Sequence, residues 1–388
     1  MYQIQCLNKI SPAGTEKFSA DYKVGTDVEN PDAVLVRSAS MHEMDLPKSL
    51  LAVARAGAGV NNIPLDKCTE SGIAVFNTPG ANANAVKELV IAMLLLSSRR
   101  ILPAAEWAKS IRGTGDVAKL AEKGKSQFVG PEISGKTLGV IGLGAIGILV
   151  ANAAHSLGME VYGYDPYLSV DAAWRLSRSI RHARSLDEIY ANSDYITIHV
   201  PLLPDTKNTY CAESIAKMKD GVRLLNFARG ELADIPAVLD GLHSGKIARY
   251  ATDFLDDSLL GEENVIAVPH LGASTPESED NCASMAACEL MEYLENGNIR
   301  NSVNLPAVSM PRSGCTRICL IHRNVPNTIS KLSGALAEAG INIEDMQSKA
   351  KKDYAYTILD VTGSVTPEAE AHLESLPEIV RARVLAAK

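Results

Sequence analysis

Apolar positions along the chain follow two rhythms. Short continuous apolar runs alternate with longer stretches in which apolar residues return at helical spacing. The runs fit strands buried on both faces and the longer stretches fit helices covering them. Their alternation predicts βαβ units around parallel sheets. Strands are predicted at Tyr2–Leu7, Ala33–Arg37, Leu51–Ala56 and Ile73–Asn77. A helical pattern without interior Gly or Pro follows from about Asn84 to Arg99 and reads as a crossover into a second lobe.

A second αβ series begins near Lys136 and runs to a strand predicted at Val265–His270. Ser274-Thr-Pro-Glu then places cap, proline and acid in the order a helix start prefers. That helix runs to about Glu295 and stops at Asn296-Gly-Asn. The Pro-, Ser- and Gly-containing segment 304–314 has linker composition. Beyond it the periodicity reads β-α-β-β-α-β. The strands are Cys315–His322, Ile341–Ser348, Tyr354–Thr362 and Ile379–Leu385, with helices at Thr328–Ala339 and Pro367–Ser375.

Charge narrows the partners. The 388 residues carry a formal net charge of −8, which argues against a nucleic-acid or anionic-membrane surface. The start Met1-Tyr-Gln-Ile-Gln-Cys lacks a signal-peptide pattern, and the longest apolar stretch, Leu89–Leu96, is too short to span a bilayer. The seven cysteines form no C-x-x-C pair, so neither a metal site nor a disulfide framework is expected, and a reduced cytoplasmic protein fits best.

The chemistry begins at Gly142-Leu-Gly144-Ala145-Ile146-Gly147, between a predicted strand, Lys136–Ile141, and a helical run, Ile148–Leu157. Gly142 permits a tight turn, Gly144 lets backbone approach a pyrophosphate, and Gly147 lets helix pack on strand. The free N–H groups of the helix start attract phosphate without a basic surface. A second strand, Glu160–Tyr164, leads to Asp165, 18 residues after Gly147, suited to ribose hydroxyls. The plainer alternative for Asp165 is a solvated turn acid before Pro166. Pro166 and Tyr167 bring no positive charge for a 2′-phosphate, which favours NAD over NADP.

Three later segments supply reacting groups. Arg223-Leu-Leu-Asn-Phe-Ala-Arg229 reads as a strand ending in an arginine suited to grip a carboxylate. Tyr250-Ala-Thr-Asp253 leads into an acidic turn with Asp256 and Asp257, and Val265–His270 ends in a histidine. Oxidising a secondary alcohol needs a hydride acceptor, a base and a positive group, and NAD, His270 and Arg229 fill those roles.

These motifs, with His199-Val-Pro-Leu and Pro269-His270-Leu-Gly-Ala-Ser-Thr275, resemble the D-isomer-specific 2-hydroxyacid dehydrogenases over nearly the whole chain. The resemblance implies two doubly wound α/β lobes and a ferredoxin-like C-terminal unit. These are a substrate lobe (1–95, completed by 275–303), a Rossmann NAD lobe (96–274), and residues 315–388. It implies catalytic Arg229 and His270, with Val200 and Pro201 at the adenine, and Phe227, Ala228, Asp253 and Gly272 toward the nicotinamide. The family's D-V-F-x-x-E acid position holds Ser258 here, so Asp257, with Asp256 as fallback, is the expected partner of His270.

The resemblance also implies a homodimer or homotetramer. Arg37 and Ser38 are expected at a substrate phosphate, and the backbone of Ala58, Gly59 and Val60 at the carboxylate. The alternative is a surface cation beside a plain loop. The expected substrate is D-3-phosphoglycerate. Another hydroxy acid (glycerate, hydroxypyruvate or erythronate 4-phosphate) and a non-catalytic NAD-sensing corepressor remain as alternatives. The C-terminal unit resembles an ACT domain, which implies that His322, Asn324 and Asn342 bind an effector such as L-serine, or that the unit serves assembly alone. Asn327 stands where a glycine is common in such domains.

Overall fold

In the first 82 residues, β1 (Tyr2–Cys6), β2 (Tyr22–Gly25), β3 (Ala33–Val36), β4 (Ala52–Arg55) and β5 (Ala74–Phe76) form a parallel sheet in the order β2-β1-β3-β4-β5. The structure is a computed structural model and describes residues 1–387. Every residue of β3 and β5 is buried, as continuous apolar runs require of strands covered on both faces. The edge strand β2 was not anticipated, because Tyr22-Lys-Val-Gly is short and only partly apolar.

Residues 83–275 form a separate unit. Its seven strands are β6 (Thr137–Ile141), β7 (Glu160–Tyr164), β8 (Arg181–His182), β9 (Tyr195–Ile198), β10 (Val222–Asn226), β11 (Ile247–Thr252) and β12 (Val265–Ala267). They run parallel in the order β12-β11-β10-β9-β6-β7-β8. The chain winds one way from β6 and the other way from β9, so the switch point lies between these two strands. There the carboxyl ends leave a crevice suited to a ligand. The helix Ala83–Ser98 lies wholly in this unit, and the expected lobe boundary at 95/96 falls inside it. Its buried Val86, Val90, Met93 and Leu94 share a core with Leu138, Val140, Ile148 and Leu225. Two further helices, Ile101–Ser110 and Val117–Gly124, carry no buried residue, which is why no core-facing stripe announced them.

Residues 276–387 belong with residues 1–82 in the other unit. One face of the helix Pro276–Asn296, including Ala283, Ala286, Leu290 and Tyr293, enters the core that holds Ile4, Leu35, Ala54 and Phe76. The remaining strands, β13 (Thr316–Arg323), β14 (Ile343–Lys351), β15 (Tyr354–Val361) and β16 (Ile379–Leu385), pair antiparallel in the order β14-β15-β13-β16. With helices Thr328–Glu338 and Pro367–Ser375 this is the expected βαββαβ arrangement. Ile318 and Leu320 of β13 pack under those helices with Leu332, Leu336 and Leu373. Cys319 and Ile321 face the other way into the first core. At this joint the fully buried Arg317 donates from Nε and Nη2 to Asp360 at 2.7 and 2.9 Å, and from Nη1 to the Asn296 and Met310 carbonyls.

Candidate active site

The glycine-rich turn forms where β6 ends. Gly142 has φ +90°, and a Cβ there would lie 2.7 Å from the His199 carbonyl oxygen, so only glycine lets the ends of β6 and β9 approach this closely. A Cβ on Gly147 would meet the Gly142 carbonyl oxygen at 1.9 Å. Gly144 caps the helix Ala145–Ser156 and has nothing within 4 Å of its would-be Cβ. The turn is therefore closed on the protein side and open at the helix start, as a pyrophosphate requires. Asp165 is half-buried at the end of β7. Its Oδ2 accepts from Leu143 N–H at 2.9 Å and its Oδ1 from Tyr167 N–H at 2.9 Å. That fixes the carboxylate against the turn, unlike a free solvated acid.

Val200 lies against Gly142, with Val200 Cγ1 2.8 Å from that glycine's would-be Cβ, and the Pro201 carbonyl accepts from Thr206 Oγ1 at 2.6 Å. His199 keeps a neutral ring. Burial pushes its pKa down to about 4, Nε2 bonds to Thr197 Oγ1 at 3.0 Å, and Nδ1 is shielded with no partner among the described residues.

Arg229 and His270 both lie three residues beyond a strand, not at its last position, because β10 ends at Asn226 and β12 at Ala267. Between β10 and Arg229, the buried Asn226 shapes the turn. Its Oδ1 accepts from Ala228 N–H at 3.3 Å and its Nδ2 donates to the Arg229 carbonyl at 2.8 Å. Phe227 is buried, whereas the Arg229 side chain is exposed. His270 is also exposed, and its backbone has φ +38°, a left-handed value that costs a non-glycine residue energy and concentrates at functional sites. His270 N–H donates to the Asp253 carbonyl at 2.9 Å, which holds that conformation. Phe254 meets the His270 ring edge-on at 5.1 Å, and its Cβ is 3.4 Å from the would-be Cβ of Gly230, next to Arg229.

A buried carboxylate that feels both charges is Asp253, 2% exposed. Burial raises its pKa, opposed by the Gly272 N–H, by His270 and by Arg229. Gly272 N–H donates to Oδ2 at 3.2 Å, while Oδ1 is shielded with no partner among the described residues. A shielded acceptor just past the end of β11 fits the carboxamide N–H of a nicotinamide, so Asp253 and the open Gly144 both suit NAD. Neither Asp257 nor Asp256 reaches His270 by a hydrogen bond or ion pair among the described residues. The turn is fastened on itself instead. Asp256 Oδ1 accepts from Ser258 N–H at 2.9 Å and from its hydroxyl at 2.5 Å, and Asp257 is exposed. The sequence resemblance puts Asp253 toward the nicotinamide, and its place just past the end of a buried strand agrees with that expectation.

In the other unit, the Arg37 guanidinium pairs with Glu279 at 2.6 Å, both side chains being about half exposed. The backbone N–H groups of Arg37, Ser38 and Ala39 converge on Asn8 Oδ1 at 3.2, 3.0 and 2.9 Å. Asn8 was not singled out in the sequence. Around Ala58, Gly59 and Val60 the carbonyls of Ala58 and Gly59 are taken by Asn77 Nδ2 and Arg55 Nη1. In the C-terminal unit, His322 is buried, with Nδ1 bonded to the Arg323 carbonyl at 2.9 Å and Nε2 to Thr357 Oγ1 at 2.8 Å. Asn324 and Asn342 are exposed, their amides donating to the Lys352 carbonyl and Glu344 Oε1. Asn327 takes φ +67°, supplying the left-handed residue that glycine commonly provides.

Residues 91–272 match the family described as D-isomer specific 2-hydroxyacid dehydrogenase, NAD binding domain. The D-3-phosphoglycerate dehydrogenase of Haemophilus influenzae is 36% identical over 351 residues, covering 87% of this chain and 81% of its own. That of Escherichia coli K12 is 35% identical, covering 87% and 82%. Among solved structures, the cofactor (NAD+) bound 3-phosphoglycerate dehydrogenase of Entamoeba histolytica aligns with a TM-score of 0.59 at 24% identity. It covers 78% of this chain and 98% of its own, a likeness of fold.

Proposed function

Because this chain belongs to the D-isomer specific 2-hydroxyacid dehydrogenase family and carries its NAD-binding domain, we propose that it oxidises D-3-phosphoglycerate to 3-phosphohydroxypyruvate, the first step of L-serine biosynthesis. The observation that carries this reading is the Arg229–Asp253–His270 group in a chain whose D-3-phosphoglycerate dehydrogenase relatives align over four-fifths of their length. NAD supplies the hydride acceptor. Arg229 holds the substrate carboxylate and polarises the forming carbonyl, and His270 takes the hydroxyl proton. The Asp253 carboxylate balances both cations as charge develops and receives the carboxamide N–H on Oδ1. Asp165 takes the ribose hydroxyls, Gly142–Gly147 the pyrophosphate, and Val200 and Pro201 the adenine.

In this reading the first sheet with the helix Pro276–Asn296 is the substrate lobe, and residues 83–275 are the NAD lobe. Arg37 exchanges Glu279 for the substrate phosphate, with Ser38 beside it and the backbone of Ala58, Gly59 and Val60 at the carboxylate. The Arg37–Glu279 pair also favours a second reading, a reductase of an unphosphorylated 2-oxo acid, because the carboxylate offsets the cation. Residues 315–388 act as an ACT-like regulatory unit responding to L-serine in a cytoplasmic homo-oligomer.

NADH oxidation measured against a panel of 2-oxo acids tests the substrate. 3-Phosphohydroxypyruvate is expected to give the highest kcat/KM, and faster reduction of hydroxypyruvate or glyoxylate overturns the phosphoglycerate assignment. An unchanged rate at millimolar L-serine removes the regulatory role.

A further inference from the structure

Within the unit that holds the first sheet, the carboxyl half of the helix Pro276–Asn296 and the segment after it wall a cavity of about 310 Å³, with Phe76 on one side. Glu289 lines it and is 8% exposed. Its Oε1 accepts from Asn301 Nδ2 at 2.5 Å, but its Oε2 is shielded and has no partner among the described residues. The neighbouring Glu292 differs: Asn298 Nδ2 donates to its Oε1 at 2.6 Å and Asn296 Nδ2 to its Oε2 at 3.0 Å.

A buried carboxylate oxygen without a donor is destabilising, the more so when ionised. Nothing in the packing repays that cost. Glu289 is flanked along its helix by core residues Ala286, Leu290 and Tyr293, where an apolar side chain would be cheaper. Burial accordingly pushes its pKa up to about 7, poised between the two protonation states. What the site lacks is a hydrogen-bond donor, and a cationic donor recovers Coulomb energy as well. An anion is disfavoured, because two carboxylates line the cavity and the sole guanidinium there, Arg300, is exposed. The volume suits a ligand of a few heavy atoms, with its apolar part against Phe76.

We propose that this cavity is a binding site for a small primary ammonium compound, whose NH₃⁺ donates to Oε2 of Glu289. The assignment is independent of the dehydrogenase substrate.

The test uses n-propylammonium on the full chain. Cys288 is exposed and lines the cavity, so its alkylation by iodoacetamide, followed by peptide mapping, reports occupancy. At pH 8, millimolar n-propylammonium is expected to slow Cys288 alkylation at least fivefold. Cys211 is unaffected, and n-propanol and propionate are without effect. Glu289→Gln, an isosteric change, abolishes the protection. Carbon-13 NMR of the Glu289 carboxyl in the unmutated chain gives a second readout, since the amine lowers its titration midpoint by a unit or more. Glu292, Cys288 and Arg300 are the charged and titratable groups that line the cavity with Glu289. Calorimetric affinity falls roughly tenfold from pH 8 to pH 6 as Glu289 takes up its proton. Protection equal in Glu289→Gln, equal protection by n-propanol, or an unmoved Glu289 titration overturns the proposal.

Discussion

Replacing Gly144 and Gly147 separately by alanine separates cofactor binding from folding within one motif. At Gly147 the added Cβ lies 1.9 Å from the Gly142 carbonyl oxygen, against the roughly 3 Å that real Cβ contacts keep. The helix Ala145–Ser156 must therefore back away from the turn by about 1 Å. Overpacking of this kind costs about 1–3 kcal/mol. For a unit the size of residues 83–275, that lowers the thermal midpoint by about 2–12 °C. At Gly144, φ −78° and ψ −160° are open to alanine, and an added Cβ would meet nothing within 4 Å beyond its own chain neighbours. The loss of glycine at the helix cap and the reduced entropy of the unfolded chain oppose each other, each below about 1 kcal/mol, so the midpoint barely moves. The methyl group instead fills the space through which backbone N–H groups approach phosphate. NADH affinity then drops at least tenfold, about 1.4 kcal/mol. Calorimetric unfolding and NADH fluorescence titration of both variants supply the two readings. NADH binding within twofold of the unmutated protein in Gly144→Ala, or an unchanged midpoint in Gly147→Ala, would refute the reasoning.

His270→Ala is expected to lower kcat by about 10²–10⁴-fold with NADH affinity retained, and substantial residual turnover removes His270 from proton transfer. The neutral His199 carries a pH dependence. Its folded pKa of about 4 lies below the ordinary 6.5, so the unfolded chain takes up the proton first. Stability is full above pH 6.5 and falls by about 3 kcal/mol as pH drops to 4. The same series of urea midpoints should be flatter in His199→Gln, and an identical slope contradicts the assignment. Burial alone would raise the pKa of Asp360, but the Arg317 guanidinium and the Ser313 hydroxyl hold it below the ordinary value. Asp360→Ala strands a fully buried arginine and should cost about 3–5 kcal/mol in urea unfolding, whereas a loss under 1 kcal/mol denies the joint its role.

Strands covered on both faces were legible because burial imprints itself on consecutive residues. Ala33–Val36 and Tyr354–Val361 were found nearly to the residue. Edge strands carry no such imprint. Tyr22–Gly25 and the two-residue Arg181–His182 gain their hydrogen bonds from neighbours and bury little. The C-terminal unit was read correctly element by element, but not that Cys319 and Ile321 would join the core of the first sheet. One apolar run looks the same whichever partner its second face finds.

By itself, the sequence determined the α/β class and the glycine-rich turn, and it singled out Asp165, Arg229 and His270 as the groups expected to bind and react. Each is written in local spacing or in a residue's own conformational range. Gly142 at φ +90° and Gly147 against a carbonyl follow from what only glycine tolerates. The tertiary structure alone showed that the Asp253 carboxylate is buried within reach of the Arg229 and His270 charges, while Asp256 is fastened to Ser258. It also decided that Arg37 is held by Glu279, 242 positions away, and that one oxygen of Glu289 is left without a donor. These are matters of charge and hydrogen bonding between groups brought together by chain crossings. Coulomb interactions and desolvation depend on distance in space, which residue spacing along the chain does not encode.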